Sequence, residues 1–166
     1  MSAEGYIIRG FRSDDINRVM DINVECLPEN YSSFFYRDLY RRFPKAFVVA
    51  EADGDIQGYI MCRIERGLSK LRGIRPTKLC HVVSIAVRDP YRRRGMASNL
   101  VKRAMKNSLE AHNASECFLE VRIGNEAALK LYEKLGFEKV KRNYGYYLDG
   151  EDAWVMAVFI EEQSSL

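Results

Sequence analysis

The 166-residue chain is predicted to form an α/β (α+β) fold, a mixed central sheet of about seven strands flanked by about four helices. Three observations predict it. The apolar, β-branched run His81–Val87 is broken by Arg88-Asp-Pro90, and Met96, Leu100, Val101, Ala104, Met105 and Leu109 then recur at helical spacing. A second strand-like run enters Asn125, which suits a helix N-cap, and the helix it opens stops at Gly136. Two further apolar runs meet at Asp53-Gly54, a hairpin signal. Strand–helix–strand units make parallel neighbours and hairpins make antiparallel ones, so the sheet is mixed.

The elements follow in order. Tyr6–Phe11 reads as the first strand. Ser13-Asp14-Asp15 reads as an N-cap with first-turn acids, opening a helix whose Ile16, Val19, Met20 and Asn23 share a face. It ends near Cys26, ahead of Leu27-Pro28, and an aromatic-rich helix covers Ser33–Phe43. Ala46–Ala52 and Ile56–Ile64 flank the Asp53-Gly54 turn. Glu65–Lys78, with Gly67, Gly73, Pro76 and many basic residues, reads as a long connection, the kind that carries motion or function. Then come strand His81–Val87, helix Gly95–His112, strand Glu116–Ile123 and helix Asn125–Leu135. Phe137–Lys141 and Ala153–Phe159 close the chain as a strand pair around a Tyr- and Asp-Gly-rich loop. With no repeat and no linker, residues 1–166 read as a single domain.

Composition narrows the function. The chain is 47 % hydrophobic, enough for one core, with no twenty-residue apolar stretch. Its start, Met1-Ser-Ala-Glu-Gly, has neither a basic n-region nor an apolar h-region, so no membrane role and a cytoplasmic location are expected. Cys26, Cys62, Cys80 and Cys117 show no Cys-x-x-Cys spacing, which suits reduced, buried thiols and argues against a metal. A net charge of +3 makes specific nucleic-acid binding a weak prospect.

The segment Arg92-Arg-Arg-Gly95-Met-Ala97 lies between a strand and a helix, so its glycine sits where unpaired backbone N–H groups and the positive helix end point outward. Small Gly95 and Ala97 admit a phosphate, and Arg92, Arg93 and Arg94 surround it with charge. Neither a Walker loop nor a Rossmann fingerprint is present. Taken alone, the segment is equally a solvated basic turn or a nucleic-acid patch. Together with Asn125-Glu-Ala-Ala128-Leu-Lys-Leu131-Tyr132 downstream, it resembles the GNAT acetyltransferases, whose element order the chain also matches. The resemblance implies acetyl-CoA as co-substrate. It places the pyrophosphate on Arg92–Ala97, including the Met96 backbone, and puts Asn125 and Tyr132 beside the thioester. It also implies a strand bulge near Ile85, Ala86 and Val87, whose N–H groups polarise the thioester carbonyl.

Three more strings sharpen the resemblance: Cys26-Leu-Pro-Glu-Asn-Tyr31, Leu119-Glu-Val-Arg122 and Tyr144-Gly-Tyr-Tyr147-Leu-Asp-Gly-Glu-Asp152-Ala. They are similar to the catalytic subunits of NatA-type N-terminal acetyltransferases, above all the stand-alone archaeal form. By that resemblance Glu29 is the base or orienting group beside the acceptor amine, and Arg122 and Tyr147 position it. Leu27, Pro28, Tyr31 and Tyr146 line the peptide groove, and His81 relays the proton through water. Each residue also has a plainer reading. Glu29 after a proline is a solvated turn acid. Tyr146 and Tyr147 are strand aromatics. His81, on the side of Val83 and Ile85, is a hydrogen-bonded core histidine. Arg122 pairs with Glu120, and Tyr132 packs in the core. A Cys80–His81 nucleophile pair is set aside because strand neighbours face opposite ways.

The resemblance implies acetylation of N-terminal Ser, Ala, Thr or Gly, and of Met-Leu-like starts, by direct attack in a ternary complex. The chain's own Met1-Ser2-Ala3 start makes it a candidate substrate. The partners expected are protein N-termini, with the ribosome as an optional one and no auxiliary subunit for the archaeal form; the charges of Arg63–Lys78 and Arg88–Arg94 suit ribosome association of a non-catalytic scaffold. The alternatives are a ribosomal-protein alanine or lysine acetyltransferase of the same fold, or a non-catalytic CoA-binding scaffold.

Overall fold

The computed structural model describes residues 5–161, so the Met1-Ser2-Ala3 start lies outside the described residues. Seven strands form one sheet in the order β1-β2-β3-β4-β5-β7-β6. They are β1 (Ile7–Gly10), β2 (Phe47–Ala52), β3 (Asp55–Leu68), β4 (Pro76–Val87), β5 (Glu116–Arg122), β6 (Glu138–Asn143) and β7 (Ala153–Phe159). The helices are α1 (Ile16–Cys26), α2 (Ser33–Arg42), α3 (Met96–His112) and α4 (Glu126–Lys134). Only β4 and β5 pair in parallel, and α3 is the crossover that such a pair requires.

Alternation along β2 shows why both faces of the sheet are covered. Val48, Ala50 and Ala52 join Leu100, Val101 and Ala104 of α3 in one cluster; Phe47 and Val49 join Val19, Ile22, Tyr36 and Leu39 of α1 and α2 in the other. Leu100 is fully buried, and truncation to alanine there costs about 2–5 kcal/mol. A Cβ on Gly58 would lie 3.2 Å from the Met96 sulfur, so this glycine lets the start of α3 approach the sheet.

Beyond shifts of a residue or two at strand and helix ends, two expectations change. Ser13–Asp15 is a 3-10 turn rather than the first turn of α1, because the Asp15 carboxylate accepts the Arg12 N–H at 2.8 Å and pairs with Arg9 at 2.8 Å. More important, Glu65–Lys78 is not a long connection. β3 and β4 continue as a hairpin arm through Leu68↔Pro76, and only the tip from Ser69 to Arg75 is irregular. The arm's charged, exposed residues hid its strand character. Its tip folds back on the sheet: buried Glu116 accepts the Ser69 hydroxyl and, at 2.8 Å, the Lys70 N–H. Lys70 and Arg72 lie over the Phe118 and Phe159 rings. Leu71 packs with Leu79, Phe118, Val155 and Ala157 on the part of the sheet where this tip provides cover.

Candidate active site

β4 and β5 pair at Leu79↔Glu116, Cys80↔Cys117 and His81↔Phe118, and then part. The parting opens a cavity of about 620 Å³ lined by Val82–Ile85 of β4 and Leu119–Arg122 of β5. The turn after α1 adds Cys26, Leu27, Pro28, Glu29 and Tyr31; α4 adds Ala128 and Tyr132, with Asn125 at its cap; the β6–β7 turn adds Tyr146, Tyr147 and Leu148. Ten residues singled out from the sequence therefore meet here: Leu27, Pro28, Glu29, Tyr31, Ile85, Arg122, Asn125, Tyr132, Tyr146 and Tyr147.

Glu29 and Arg122 face each other, with Arg122 donating to the Glu29 carboxylate at 2.6 Å. Arg122 also donates to Asp149 at 2.8 Å and Glu151 at 2.9 Å, and lies 3.9 Å above the Tyr147 ring. The other Glu151 oxygen accepts the Gly124 N–H at 3.0 Å, while Asp152 accepts the Gly145 N–H at 2.7 Å and pairs with Arg142. The acids of the Asp149–Asp152 string thus clamp the β6–β7 turn over the end of β5. Tyr146 and Tyr147 belong to that turn, not to a strand, their rings edge-to-face at 5.0 Å. Burial pushes the Tyr147 and Tyr132 phenols above their usual range.

His81 is not among the lining residues; its Nε2 sits 2.7 Å from Glu120, which is. Its Nδ1 lies 3.2 Å from Glu65, and its ring stacks on Phe118 at 4.2 Å. Burial opposes a charged imidazole here, yet the hydrogen bond and charge of Glu120, backed by Glu65, outweigh it and hold the His81 pKa above its ordinary value. Glu120 was missed as a site residue. A signal existed: it alternates along β5 with buried Leu119 and Val121, so it shares a face with Phe118 and Arg122. Because Glu120 is committed to His81, Arg122 takes Glu29 instead of the Glu120 partner that spacing suggested.

The β4 irregularity sits earlier than Ile85–Val87. Ser84 pairs with Met61 and Val82 with Cys62, which leaves Val83 as the extra residue. The bulge changes which side chains share a face. Val82, Ile85 and Val87 pack on the α3 side and Val83 and Ala86 on the α1–α2 side, so Ile85 does not lie on the side of Val83. The Val83 carbonyl has the Tyr31 hydroxyl 3.5 Å away. Cys80 and His81 do face opposite ways: the Cys80 sulfur lies in the α3-side core, accepting from Ser108 at 3.3 Å. Cys62 and Cys117 are also buried, while Cys26 is half-buried at the cavity.

Ala86 and Val87 end β4, and the loop carrying Arg92, Arg93 and Arg94 leads to the α3 N-terminus. Gly95 has φ +77°, a left-handed conformation that disfavours any side chain. The first α3 bond runs from Asn99 N–H to the Gly95 carbonyl, so the N–H groups of Met96, Ala97 and Ser98 have no intrahelical partner. Arg92 turns back onto the Val87 carbonyl at 2.8 Å, shaping the loop, while Arg93 and Arg94 are exposed. Tyr6 braces the loop by donating to the Arg94 carbonyl and accepting from Asn99 at 2.6 Å. Helix-end donors with no intrahelical partner, a glycine without a side chain and flanking cations fit a pyrophosphate. The Asn125 side chain caps α4, accepting the Ala128 N–H at 3.2 Å.

A loop and helix end that could hold a phosphorylated carrier, and a cavity lined by Glu29 and Glu120, are the parts a group-transfer enzyme needs. The sequence model of the Acetyltransferase (GNAT) family matches residues 16–137, and the chain belongs to that family. It is 48 % identical over 92 % of its length to an N-alpha-acetyltransferase of Sulfurisphaera tokodaii, and 46 % identical over 92 % to one of Saccharolobus solfataricus; it covers 92 % of each. Among solved structures, it is similar to Ard1 from Thermoplasma volcanium, with TM-score 0.80 and 28 % identity, covering 95 % of this chain and 99 % of that one.

Proposed function

We propose that this chain, as a single domain, acetylates the free α-amine of protein N-termini beginning with Ser, Ala, Thr or Gly, and also Met-Leu-like starts. It does so as a stand-alone NatA-type enzyme. N-terminal acetylation from acetyl-CoA is the reaction of the chain; the substrate range and the residue roles are the proposal. The observation that carries it is the parting of β4 and β5. There Glu29–Arg122 and Glu120–His81 flank one cavity that also touches the start of α4.

Acetyl-CoA supplies an acetyl group activated as a thioester. The α3 N-terminus with Arg93, Arg94 and Gly95 would hold its pyrophosphate, Asn125 and Tyr132 would lie beside its acyl end, and β4 groups from Val83 to Val87 would face the carbonyl. The acceptor enters between the Leu27–Tyr31 turn and the Tyr144–Tyr147 segment, a gap suited to a thin peptide start. Glu29, oriented by Arg122 over Tyr147, takes the amine proton through one water. Little base strength is needed, because a peptide α-amine has pKa about 8 against about 10.4 for lysine. His81 holds Glu120 in place and keeps a second carboxylate beside the cationic amine. The amine attacks directly, with no acetyl-cysteine, since Cys80 lies in the core on the far side of the sheet from His81.

Such substrates arise in the cytoplasm, the location this reading implies. The basic arm and the Arg88–Arg94 loop are the surfaces through which it would approach the ribosome. CoA release with three peptides tests the reading: one starting Ser-Ala, one starting Met-Leu, and one blocked at its N-terminus with an internal lysine. Turnover of the two free N-termini with Ser-Ala preferred is expected; turnover of the blocked peptide alone would transfer the reading to a lysine acetyltransferase.

A further inference from the structure

A chain of buried polar groups crosses the apolar layer between α1 and the sheet. The Asn23 amide donates to the Tyr59 hydroxyl at 3.0 Å, and that hydroxyl is 2.7 Å from the Ser84 hydroxyl. Asn23 is 1 % exposed, Tyr59 0 % and Ser84 5 %. All around are apolar side chains, including Ile16, Val19, Ile22, Val49 and Met61. Polar groups placed so deep lose water, and they are tolerated only when hydrogen-bonded to one another.

The two ends of this chain are what matter. At one end, the Asn23 amide also donates to the Glu29 carbonyl at 3.0 Å. The Asn23 carbonyl accepts the Leu27 N–H at 2.9 Å, closing α1. One residue therefore tethers both limbs of the Leu27–Glu29 turn. At the other end, Ser84 sits beside the extra residue Val83 in β4 and lines the cavity. The wire thus joins the backbone carrying Glu29 to the irregular stretch of β4 across the same cavity.

We infer that Asn23, Tyr59 and Ser84 are positioning residues, which lock the Glu29 turn and the β4 bulge in a fixed mutual geometry for acetyl transfer. The inference rests on the proposed role of Glu29. It concerns distance and orientation, not proton transfer through the wire. A generic core contact would move stability; a positioning wire moves turnover and the mobility of one turn.

The variants Tyr59→Phe, Ser84→Ala, Ser84→Thr and Tyr36→Phe test it. Tyr36 is an equally buried tyrosine of the same cluster, but its hydroxyl has no hydrogen-bond partner among the described residues, so Tyr36→Phe is the control. Loss of both buried hydrogen bonds of the Tyr59 hydroxyl should lower kcat on a Ser-Ala peptide about tenfold in Tyr59→Phe, with the acetyl-CoA KM within about twofold. Ser84→Ala should follow, Ser84→Thr should recover most of the activity, and Tyr36→Phe should match wild type. Amide hydrogen exchange of the Glu29–Tyr31 segment should quicken about tenfold in Tyr59→Phe and stay unchanged in Tyr36→Phe. Exchange is readable without turnover. A wild type inactive on the peptide would therefore overturn the functional reading while the exchange data still judged the wire. Unchanged exchange and kcat in Tyr59→Phe, or equal losses in Tyr36→Phe, would overturn the inference.

Discussion

Replacing Glu29 by glutamine removes one carboxylate while leaving almost everything around it in place. Arg122 keeps Asp149 at 2.8 Å and Glu151 at 2.9 Å, stays over the Tyr147 ring, and can still donate to the Gln amide oxygen. The Glu29 side chain is 38 % exposed, so its ion pair is solvent-screened and contributes about 0–1 kcal/mol. For a chain of this size that moves the melting temperature by no more than about 4 °C. The turn itself hangs on the Glu29 carbonyl and the Leu27 N–H, which the substitution does not touch. Chemistry should suffer far more. A positioned base contributes about 10²–10⁴ in rate, and the lower end, about 2.7 kcal/mol, suits an easily deprotonated α-amine reached through water. Initial rates of CoA release with a Ser-Ala peptide should show kcat down about a hundredfold and the acetyl-CoA KM little changed. A variant with wild-type kcat, or one whose entire loss lies in the acetyl-CoA KM, would refute the assignment.

Three other perturbations read other parts of the site. The His81 pKa is raised in the folded chain, so its contribution to stability is full below the unfolded value of about 6.5 and fades as pH climbs through the folded value. Melting curves should fall over that upper window, and Glu120→Gln should flatten the decline. Gly95→Trp forces a side chain onto a φ +77° position, with its Cβ 3.6 Å from the Tyr6 hydroxyl that braces the loop; steady-state kinetics should show a raised acetyl-CoA KM with the peptide KM nearly unaltered. Cys80→Ala should retain kcat within about twofold per folded molecule, whereas loss of turnover together with an acetylated wild-type intermediate in mass spectra would establish a covalent route.

The order of strands and helices was legible because period and punctuation agree: the Asp53-Gly54 turn, the break at Pro90, the Asn125 cap and the Gly136 stop all stand where expected. The hairpin arm was not legible. Arg66 opposite Lys78 and Gly67 opposite Thr77 carry no apolar alternation, and the contacts that anchor the tip, on Glu116, Phe118 and Phe159, come from distant strands. The bulge at Val83 is not legible in Val-Val-Ser-Ile, which has no glycine or proline to mark it; the family resemblance alone implies one, near Ile85–Val87, two residues later than it falls. In the site, local strings delivered Glu29, Arg122 and Tyr147 but not their mutual contact. Glu120 suggests itself as a partner for Arg122 in the plainer of that arginine's two readings, because spacing on one strand is visible in a sequence. Its real partner, His81, lies on the adjacent strand.

The central claim is that the peptide N-terminus and the acetyl thioester meet where β4 and β5 part. A crystal structure with CoA joined through an acetyl link to a Ser-Ala peptide tests it most directly. The account predicts the pyrophosphate on the N–H groups of Met96–Ser98 and the link between Val83–Ile85 and Tyr132. The peptide nitrogen should lie within one water of Glu29, with its chain between Tyr31 and Tyr146. A conjugate whose peptide leaves by another path, or whose nitrogen lies beyond the reach of both Glu29 and Glu120, would contradict it.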